Sequence, residues 1–126
     1  MQRVIISMQN YVLGEAVEQM LIRGGDFHVT VAENPEQVIK LCVNLAANAL
    51  LMEVTGYTPY KLEERLKLRA EVKRQNPLCK IVLLVDEHAE KEAADKVRQA
   101  KKDGLIDQFI YGSTSASYLV AIMDAL

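Results

Sequence analysis

The sequence of 126 residues has few of the side chains from which metal and redox sites are built. It contains two cysteines and two histidines, with no C-x-x-C pair and no histidine cluster. Cys42 and Cys79 each stand alone in an apolar context, as buried thiols do. We therefore expect two buried, reduced thiols, and neither a disulfide nor a metal site.

Long apolar runs and blocks of like charge are also absent. No segment approaches the length of a membrane span, and the N-terminus is too short for a secretory signal. The net charge of −2 gives no electrostatic footprint for nucleic acid. Glutamates interleave with the basic residues between 61 and 74, so we interpret this segment as a solvated helix face. Its basic residues are Lys61, Arg65, Lys67, Arg69, Lys73 and Arg74. We expect a cytoplasmic protein that binds neither nucleic acid nor a membrane.

The loop after the first predicted strand lacks glycine. Residues 7–11 read Ser-Met-Gln-Asn-Tyr, and the first glycine of the chain is Gly14. Dinucleotide-binding loops and P-loops need glycines at this place so that the backbone can approach a phosphate. A flavin phosphate loop rich in Ser, Thr and Gly is equally absent. We expect no cofactor.

What the sequence does contain is a regular alternation of strands and helices. Short apolar or β-branched runs predict strands at 3–7, 27–31, 49–53, 80–85 and 109–111. Helical spacing of apolar residues predicts helices at 11–23, 34–46, 59–75, 89–102 and 115–126. Strands that alternate with helices form parallel sheets through right-handed crossovers. The prediction is a single domain, 1–126, with a three-layer α/β/α architecture and a five-stranded parallel sheet of order 2-1-3-4-5, the flavodoxin-like order.

One carboxylate stands out in this scheme. Glu53 ends the third predicted strand and is the only acid between Glu36 and Glu63. Open α/β sheets bind their ligands at the carboxyl ends of the strands. Glu53 is therefore the first candidate for a functional residue.

These features resemble the receiver domain of bacterial response regulators, the CheY-like domains of two-component signal transduction. The resemblance covers the whole chain. It rests on the strand–helix count, the stretch Leu50-Leu51-Met52-Glu53-Val54 followed by Pro59, the strand at 81–84 and the segment 104–110. It implies a cytoplasmic signalling module, and it allows for an output domain beyond Leu126, so that 1–126 would be the N-terminal part of a longer protein.

The polar residues of the family site are replaced in this chain. Glu53 takes the place of the phosphoacceptor Asp, and Met8 and Gln9 take the place of the acidic pair that holds Mg²⁺. Val85 replaces a Ser or Thr, and Gly112 replaces a Lys. Phosphoryl transfer needs cations that neutralise charge developing on the phosphoryl oxygens, and Mg²⁺ prefers anionic oxygen ligands. The resemblance therefore implies a degenerate receiver that is not an enzyme and accepts no phosphate.

Two interpretations of Glu53 remain open. Its carboxylate reaches toward the position of a phosphoryl group, so it could mimic the phosphorylated state. Alternatively, it is a relic, a polar residue tolerated at a strand end that water reaches. Mimicry needs a partner for the charge, and no Lys, Ser or Thr at the family positions supplies one. We favour the relic.

If the family site accepts no phosphate, the function of the domain must lie in a surface that binds a partner. The last helix has one charged residue, and its apolar residues spread beyond a single stripe. We expect helix four, strand five and helix five to form a homodimer or partner interface centred on Tyr118, Leu119, Ile122 and Met123. The resemblance also suggests an aromatic switch at Phe109 or Tyr111, but we expect none, because Val85 replaces the hydroxyl that couples the pocket to that aromatic residue.

Two alternatives are retained. In the first, the domain is a working phosphoacceptor receiver of a transcriptional response regulator that uses an atypical site, with Asp86 or Glu87 as metal ligands. In the second, the chain is a small-ligand-binding α/β module. That alternative predicts a well-formed pocket around Met8, Glu53 and Val85.

Overall fold

The computed structural model describes all residues, Met1–Leu126, and shows a five-stranded parallel sheet of order β2-β1-β3-β4-β5. The strands are β1 (Gln2–Ser7), β2 (Phe27–Val31), β3 (Ala49–Val54), β4 (Lys80–Val85) and β5 (Gln108–Tyr111). The helices are α1 (Tyr11–Gly24), α2 (Val38–Asn44), α3 (Leu62–Gln75), α4 (Lys91–Lys102) and α5 (Ala116–Asp124). The predicted fold class and strand order are confirmed.

The sheet is covered on both faces, as its continuous apolar strands require. Every residue of β3 is buried. Side chains that alternate along β3 enter two separate cores: Leu50 and Met52 pack on one face with α2, α3 and α4, and Ala49 and Leu51 pack on the other with α1 and α5. None of the helices is both long enough and apolar enough to cross a bilayer.

Two helices begin where the sequence supplies an N-cap. The side chain of Asn10 accepts a hydrogen bond from the amide of Leu13 at the start of α1. The hydroxyl of Ser115 accepts one from the amide of Tyr118 at the start of α5. Each cap satisfies one of the amide groups that a helix leaves without a partner in its first turn.

The start of α3 differs from the prediction. The sequence places it at Pro59, but the helix begins at Leu62. A turn precedes it, in which Tyr60 donates its amide to the carbonyl of Tyr57 and the amide of Thr55 donates to the carbonyl of Tyr60. Pro59 lies inside this turn, after a cis peptide bond.

The region around α2 also differs. Asn34 forms no side-chain cap. Gln37 instead accepts a hydrogen bond from the amide of Glu33, and a 3₁₀ turn at Pro35–Gln37 leads into the helix. Ala46, the last residue of the predicted helix, lies beyond the helix end, is exposed and has a φ of +49°. The helix is therefore shorter at both ends than the apolar pattern predicts.

The two cysteines are free and fully buried, as predicted. Cys42 comes from α2 and Cys79 from the loop before β4. The neighbouring Cys79 thiol and burial raise the pKa of Cys42, and the neighbouring Cys42 thiol lowers the pKa of Cys79. The thiols form one buried pair on the α2 side of the sheet.

Candidate functional site

The five residues that the sequence singled out at the strand ends lie along the carboxyl edge of the sheet. Glu53 is 9% exposed, Val85 is fully buried and Met8 is half-buried, while Gln9 and Gly112 are exposed. The amide of Gly112 donates to the carbonyl of Val85 at 2.9 Å, which joins the ends of β4 and β5. These positions therefore share one edge of the sheet.

The carboxylate of Glu53 is held by the loop between β1 and α1. Its Oε1 accepts hydrogen bonds from the amides of Gln9 at 2.8 Å and Asn10 at 3.1 Å. Asn10 in turn caps α1 through its side chain. Glu53 therefore links the end of β3 to the start of a helix. The residue is largely buried, but its second oxygen, Oε2, accepts no hydrogen bond within the chain and is not sealed from solvent, so water reaches the carboxylate on that side.

A second side chain fills the interior of this edge, and the sequence analysis did not predict it. Arg65 of α3 is fully buried. Its Nε donates to the carbonyl of Glu53 at 2.8 Å. Its Nη1 and Nη2 donate to the hydroxyl and the carbonyl of Ser7, at 2.9 and 3.0 Å. One guanidinium thus joins the ends of β1 and β3 to α3.

The charge of Arg65 is buried, and no ion pair neutralises it. Burial lowers the pKa of Arg65 to about 10, and the nearby Tyr60 and Glu53 act in the opposite direction. The guanidinium is therefore protonated at neutral pH. Its carbon lies 4.9 Å from the centre of the Tyr60 ring, within the range of a cation–π interaction. Buried cations are retained when their donors are satisfied in this way.

The interpretation of residues 61–74 as a solvated face is thus wrong at Arg65. Only Leu62, Arg65 and Val72 are buried in α3. Arg65 follows Leu62 by three positions and precedes Val72 by seven, so it lies on the same helical stripe. That register was the available signal. The surrounding charges concealed it, because an arginine among lysines and glutamates is usually exposed.

Asp86 and Glu87, the alternative metal ligands, each accept hydrogen bonds through one carboxylate oxygen, and Oε1 of Glu87 is buried without a partner. Asp86 accepts hydrogen bonds from the amides of His88 and Ala89, both at 3.0 Å. Those bonds lower the pKa of Asp86. Glu87 accepts from the hydroxyl of Ser113 at 2.7 Å, which ties the loop after β4 to the loop after β5. No group of three or more His, Cys, Asp or Glu side chains is placed to hold a metal ion.

The pocket predicted by the small-ligand alternative has a different lining. Met8 lines a cavity of about 570 Å³ between α1 and β2, but Glu53 and Val85 do not. Both are buried. The three residues do not share a pocket.

The aromatic residues of β5 are tied to α4. The hydroxyl of Tyr111 accepts a hydrogen bond from Nη1 of Arg98 at 2.8 Å. Phe109 and Tyr111 are half-buried and pack edge to face, with ring centres 5.4 Å apart. Tyr111 therefore has a partner on α4 that the sequence analysis did not predict.

The predicted interface residues on α5 divide into two groups. Leu119 and Met123 are 3% and 0% exposed and belong to the core beneath the helix. They are therefore not surface residues, because the side of α5 on which they lie faces the sheet. Tyr118 is 60% exposed and Ile122 is half-buried. Both line a groove of about 450 Å³ between β5 and α5.

No protein-family model matches the chain, and no curated protein sequence matches it. Solved structures do match. A response regulator from Thermotoga maritima has a TM-score of 0.77 at 19% identity, over 98% of this chain and 95% of that one. The chain has the receiver fold. TrrA, a response regulator from the same organism solved with Mg²⁺ and BeF, has a TM-score of 0.76 at 17% identity, over 99% and 98%. The receiver domain of the putative response regulator NarL from Mycobacterium tuberculosis has a TM-score of 0.75 at 18% identity, over 98% and 94%. At these identities the likeness is one of fold.

Proposed function

We propose that this chain is a receiver domain of two-component signalling that accepts no phosphate and acts by binding a protein partner. The observation that carries the proposal is the position of the Glu53 carboxylate. Phosphoryl transfer to a carboxylate needs a nearby cation that neutralises the phosphoryl charge. Oxygen Oε1 of Glu53 accepts hydrogen bonds from two neutral backbone amides. The carboxylate forms no ion pair with a lysine or an arginine.

The neighbouring positions support the same proposal. Met8 and Gln9 offer a thioether and a neutral amide where receivers hold Mg²⁺, and Mg²⁺ binds hard oxygen ligands. The cation of this edge is the guanidinium of Arg65, whose bonds go to Ser7 and to the Glu53 carbonyl. It is a fixed side chain rather than an exchangeable ion.

Mimicry of the phosphorylated state is the weaker account of Glu53. A mimic acts through groups that respond to a phosphoryl charge, and Val85 and Gly112 carry no such group. The amides of Gln9 and Asn10 bind the carboxylate in a loop. This arrangement supports a structural role for Glu53.

The test is exposure to small-molecule phosphodonors. The protein is incubated with acetyl phosphate and Mg²⁺, or with a beryllofluoride complex and Mg²⁺, and followed by intact mass and by amide NMR shifts. We expect no added mass and no shift at Glu53, Gln9 or Asn10. Glu53→Asp is the matched variant, because it restores the side chain of the family without restoring the metal ligands, and we expect it to remain unmodified. A stoichiometric, Mg²⁺-dependent adduct on Glu53 in the wild type would overturn the proposal.

The partner surface is the face formed by α4, β5 and α5. Tyr118 is the most exposed of the apolar residues predicted there, and the groove beside it ends at Lys80 and Asp107. An aromatic side chain next to a concave, partly apolar surface is typical of an interface anchor. A second copy of the chain or another protein would occupy this face.

A further inference from the structure

The edge strand β2 is open to solvent along one side. It pairs only with β1, and it stands at the end of the sheet. The amide of Gln2 donates to the carbonyl of Asp26, and the amide of Ala32 donates to the carbonyl of Ile6. In a parallel pair, the residues that bond to the neighbouring strand alternate with residues whose polar groups point away. Val29 and Val31 therefore direct their backbone N–H and C=O groups outward, without partners in the sheet.

This edge lacks three of the devices that usually prevent strand addition. Edge strands are commonly protected by a proline, a lysine or a bulge. The sequence of β2, Phe-His-Val-Thr-Val, has no proline, lysine, arginine, aspartate or glutamate. Its pairing with β1 is continuous from Phe27 to Val31. The edge can therefore accept a further strand.

A groove runs along the same edge, on the α1 side of the sheet. Its volume is about 570 Å³, within the usual range for ligand sites. Val29 and Val31 form part of its floor and pack against the core beneath α1. Side chains of an added strand that point to this face would enter the groove, because side chains alternate between the two faces of a sheet.

The walls of the groove are acidic. Three carboxylates line it, from Glu15 and Glu18 of α1 and from Glu33 after β2, and no lysine, arginine or histidine does. None of the three carboxylates forms an ion pair. A strand that carried basic side chains on its groove face would find both unpaired backbone groups and unpaired negative charge.

We propose that β2 and this groove bind an extended, basic peptide segment of a partner protein by strand addition. Backbone hydrogen bonds to Val29 and Val31 supply the pairing, and arginine or lysine side chains at alternate positions face the carboxylates. In this binding mode, main-chain hydrogen bonds provide the affinity, and contacts of alternate side chains provide the selectivity. The proposal does not depend on whether Glu53 accepts phosphate.

The probe is a blocked hexapeptide that alternates arginine and threonine, titrated into the wild-type protein and followed by amide NMR shifts. We expect shifts at Val29, Thr30 and Val31 and at the α1 residues that line the groove, and an affinity that falls as salt is raised. The same peptide with glutamate in place of arginine should not bind. No shift at millimolar arginine peptide, or shifts confined to another face, would overturn the proposal.

Two backbone-methylated peptides separate strand addition from simple charge attraction. One carries N-methyl groups on its arginines and the other on its threonines. Only one of these sets of amides can face β2, so one peptide should lose at least about tenfold in affinity and the other should keep most of it. Equal affinity of the two methylated peptides and the parent peptide would rule out strand addition.

Protein variants test the charge. Replacing Glu15→Gln and Glu18→Gln together should weaken binding by about two- to fivefold for each charge removed. Glu92→Gln is the matched control, an exposed glutamate on α4, and should leave the affinity unchanged. An equal loss in the control would contradict recognition by this groove.

Discussion

Arg65 donates a hydrogen bond to the hydroxyl of Ser7 at 2.9 Å, across 58 positions of sequence. The bond places a protonated guanidinium inside the carboxyl edge of the sheet. Because the same group also bonds to the Glu53 carbonyl at 2.8 Å, it holds the ends of β1 and β3 at a fixed distance from α3. The cation of this edge is part of the folded chain.

Arg65→Met should destabilise the protein by about 3 kcal/mol. The variant keeps the apolar stem of the side chain but leaves the carbonyls of Ser7 and Glu53 without their donor in a buried site, and each buried group that loses its partner costs about 1–3 kcal/mol. The measurement is urea unfolding at neutral pH. Lys67→Met, an exposed change on the same helix, is the control and should fall within about 0.5 kcal/mol of the wild type. Equal effects of the two substitutions would show that Arg65 does not act as a clamp.

Glu53→Ala should loosen the loop between β1 and α1. It removes the acceptor of the Gln9 and Asn10 amides, which we expect to cost about 1–2 kcal/mol because water can replace part of the bonding in a half-exposed loop. Glu53→Gln retains a side-chain oxygen and should cost less than half as much. Amide hydrogen exchange of Gln9 and Asn10 gives a direct measure, since both should exchange faster in the alanine variant. Unchanged exchange at both amides would argue against these bonds in solution.

The sequence predicts the sheet better than it predicts the site. Continuous apolar runs at β3 and β4 determine the burial of these strands. The alternation of strands and helices favours one strand order, because the connections are short and right-handed. The helix starts were less accurate because Pro59 marks a turn as readily as a first helical turn, and only the Tyr57–Tyr60 hydrogen bond distinguishes the two.

The candidate site was predicted by position but not by contact. The placement of Glu53, Val85 and Gly112 at one edge follows from topology. The hydrogen-bond partners of Glu53 do not follow from topology, because they are backbone amides, which carry no sequence signal. Arg65 could have been found from its register with Leu62 and Val72. Its partners Ser7 and the Glu53 carbonyl could not, because they depend on how α3 packs across the sheet.

Asp86 gives a prediction for pH dependence. The amides of Ala89 and His88 lower its pKa below the ordinary 3.8, so its folded form binds a proton less readily than its unfolded form. The stabilisation by this carboxylate is therefore present above about pH 4 and is lost as the pH falls through the lower, folded pKa. Asp86→Asn should be less stable than the wild type at neutral pH, by less than about 1 kcal/mol because the site is exposed. In urea unfolding from pH 6 downward, the free energies of unfolding of the two proteins should become equal in acid. A difference that stays constant would contradict the assignment.

Tyr111→Phe tests the link between β5 and α4. It removes the hydroxyl that accepts from Arg98, and a half-buried hydrogen bond to a charged donor contributes about 1–2 kcal/mol. The packing of the ring against Phe109 should persist. Tyr57→Phe is the control, because that side chain is 67% exposed and should tolerate the change. Thermal or urea unfolding provides the comparison, and equal stability of the two variants would show that the Arg98 bond contributes nothing.

Tyr118 and Leu119 separate the surface of α5 from its core. Tyr118→Arg places a charge on an exposed side chain, so we expect the free energy of unfolding to stay within about 0.5 kcal/mol of the wild type. Leu119→Asp buries a carboxylate in the core beneath α5 and should remove the cooperative unfolding transition.

If a second copy of the chain occupies the face of α4, β5 and α5, the wild type sediments as a dimer at micromolar concentration and Tyr118→Arg sediments as a folded monomer. A wild type that is strictly monomeric and unaffected by Tyr118→Arg would exclude the homodimer and leave a different protein as the partner. Because Tyr118→Arg keeps the fold, a loss of assembly in that variant is a property of the surface, a distinction that Leu119→Asp cannot make.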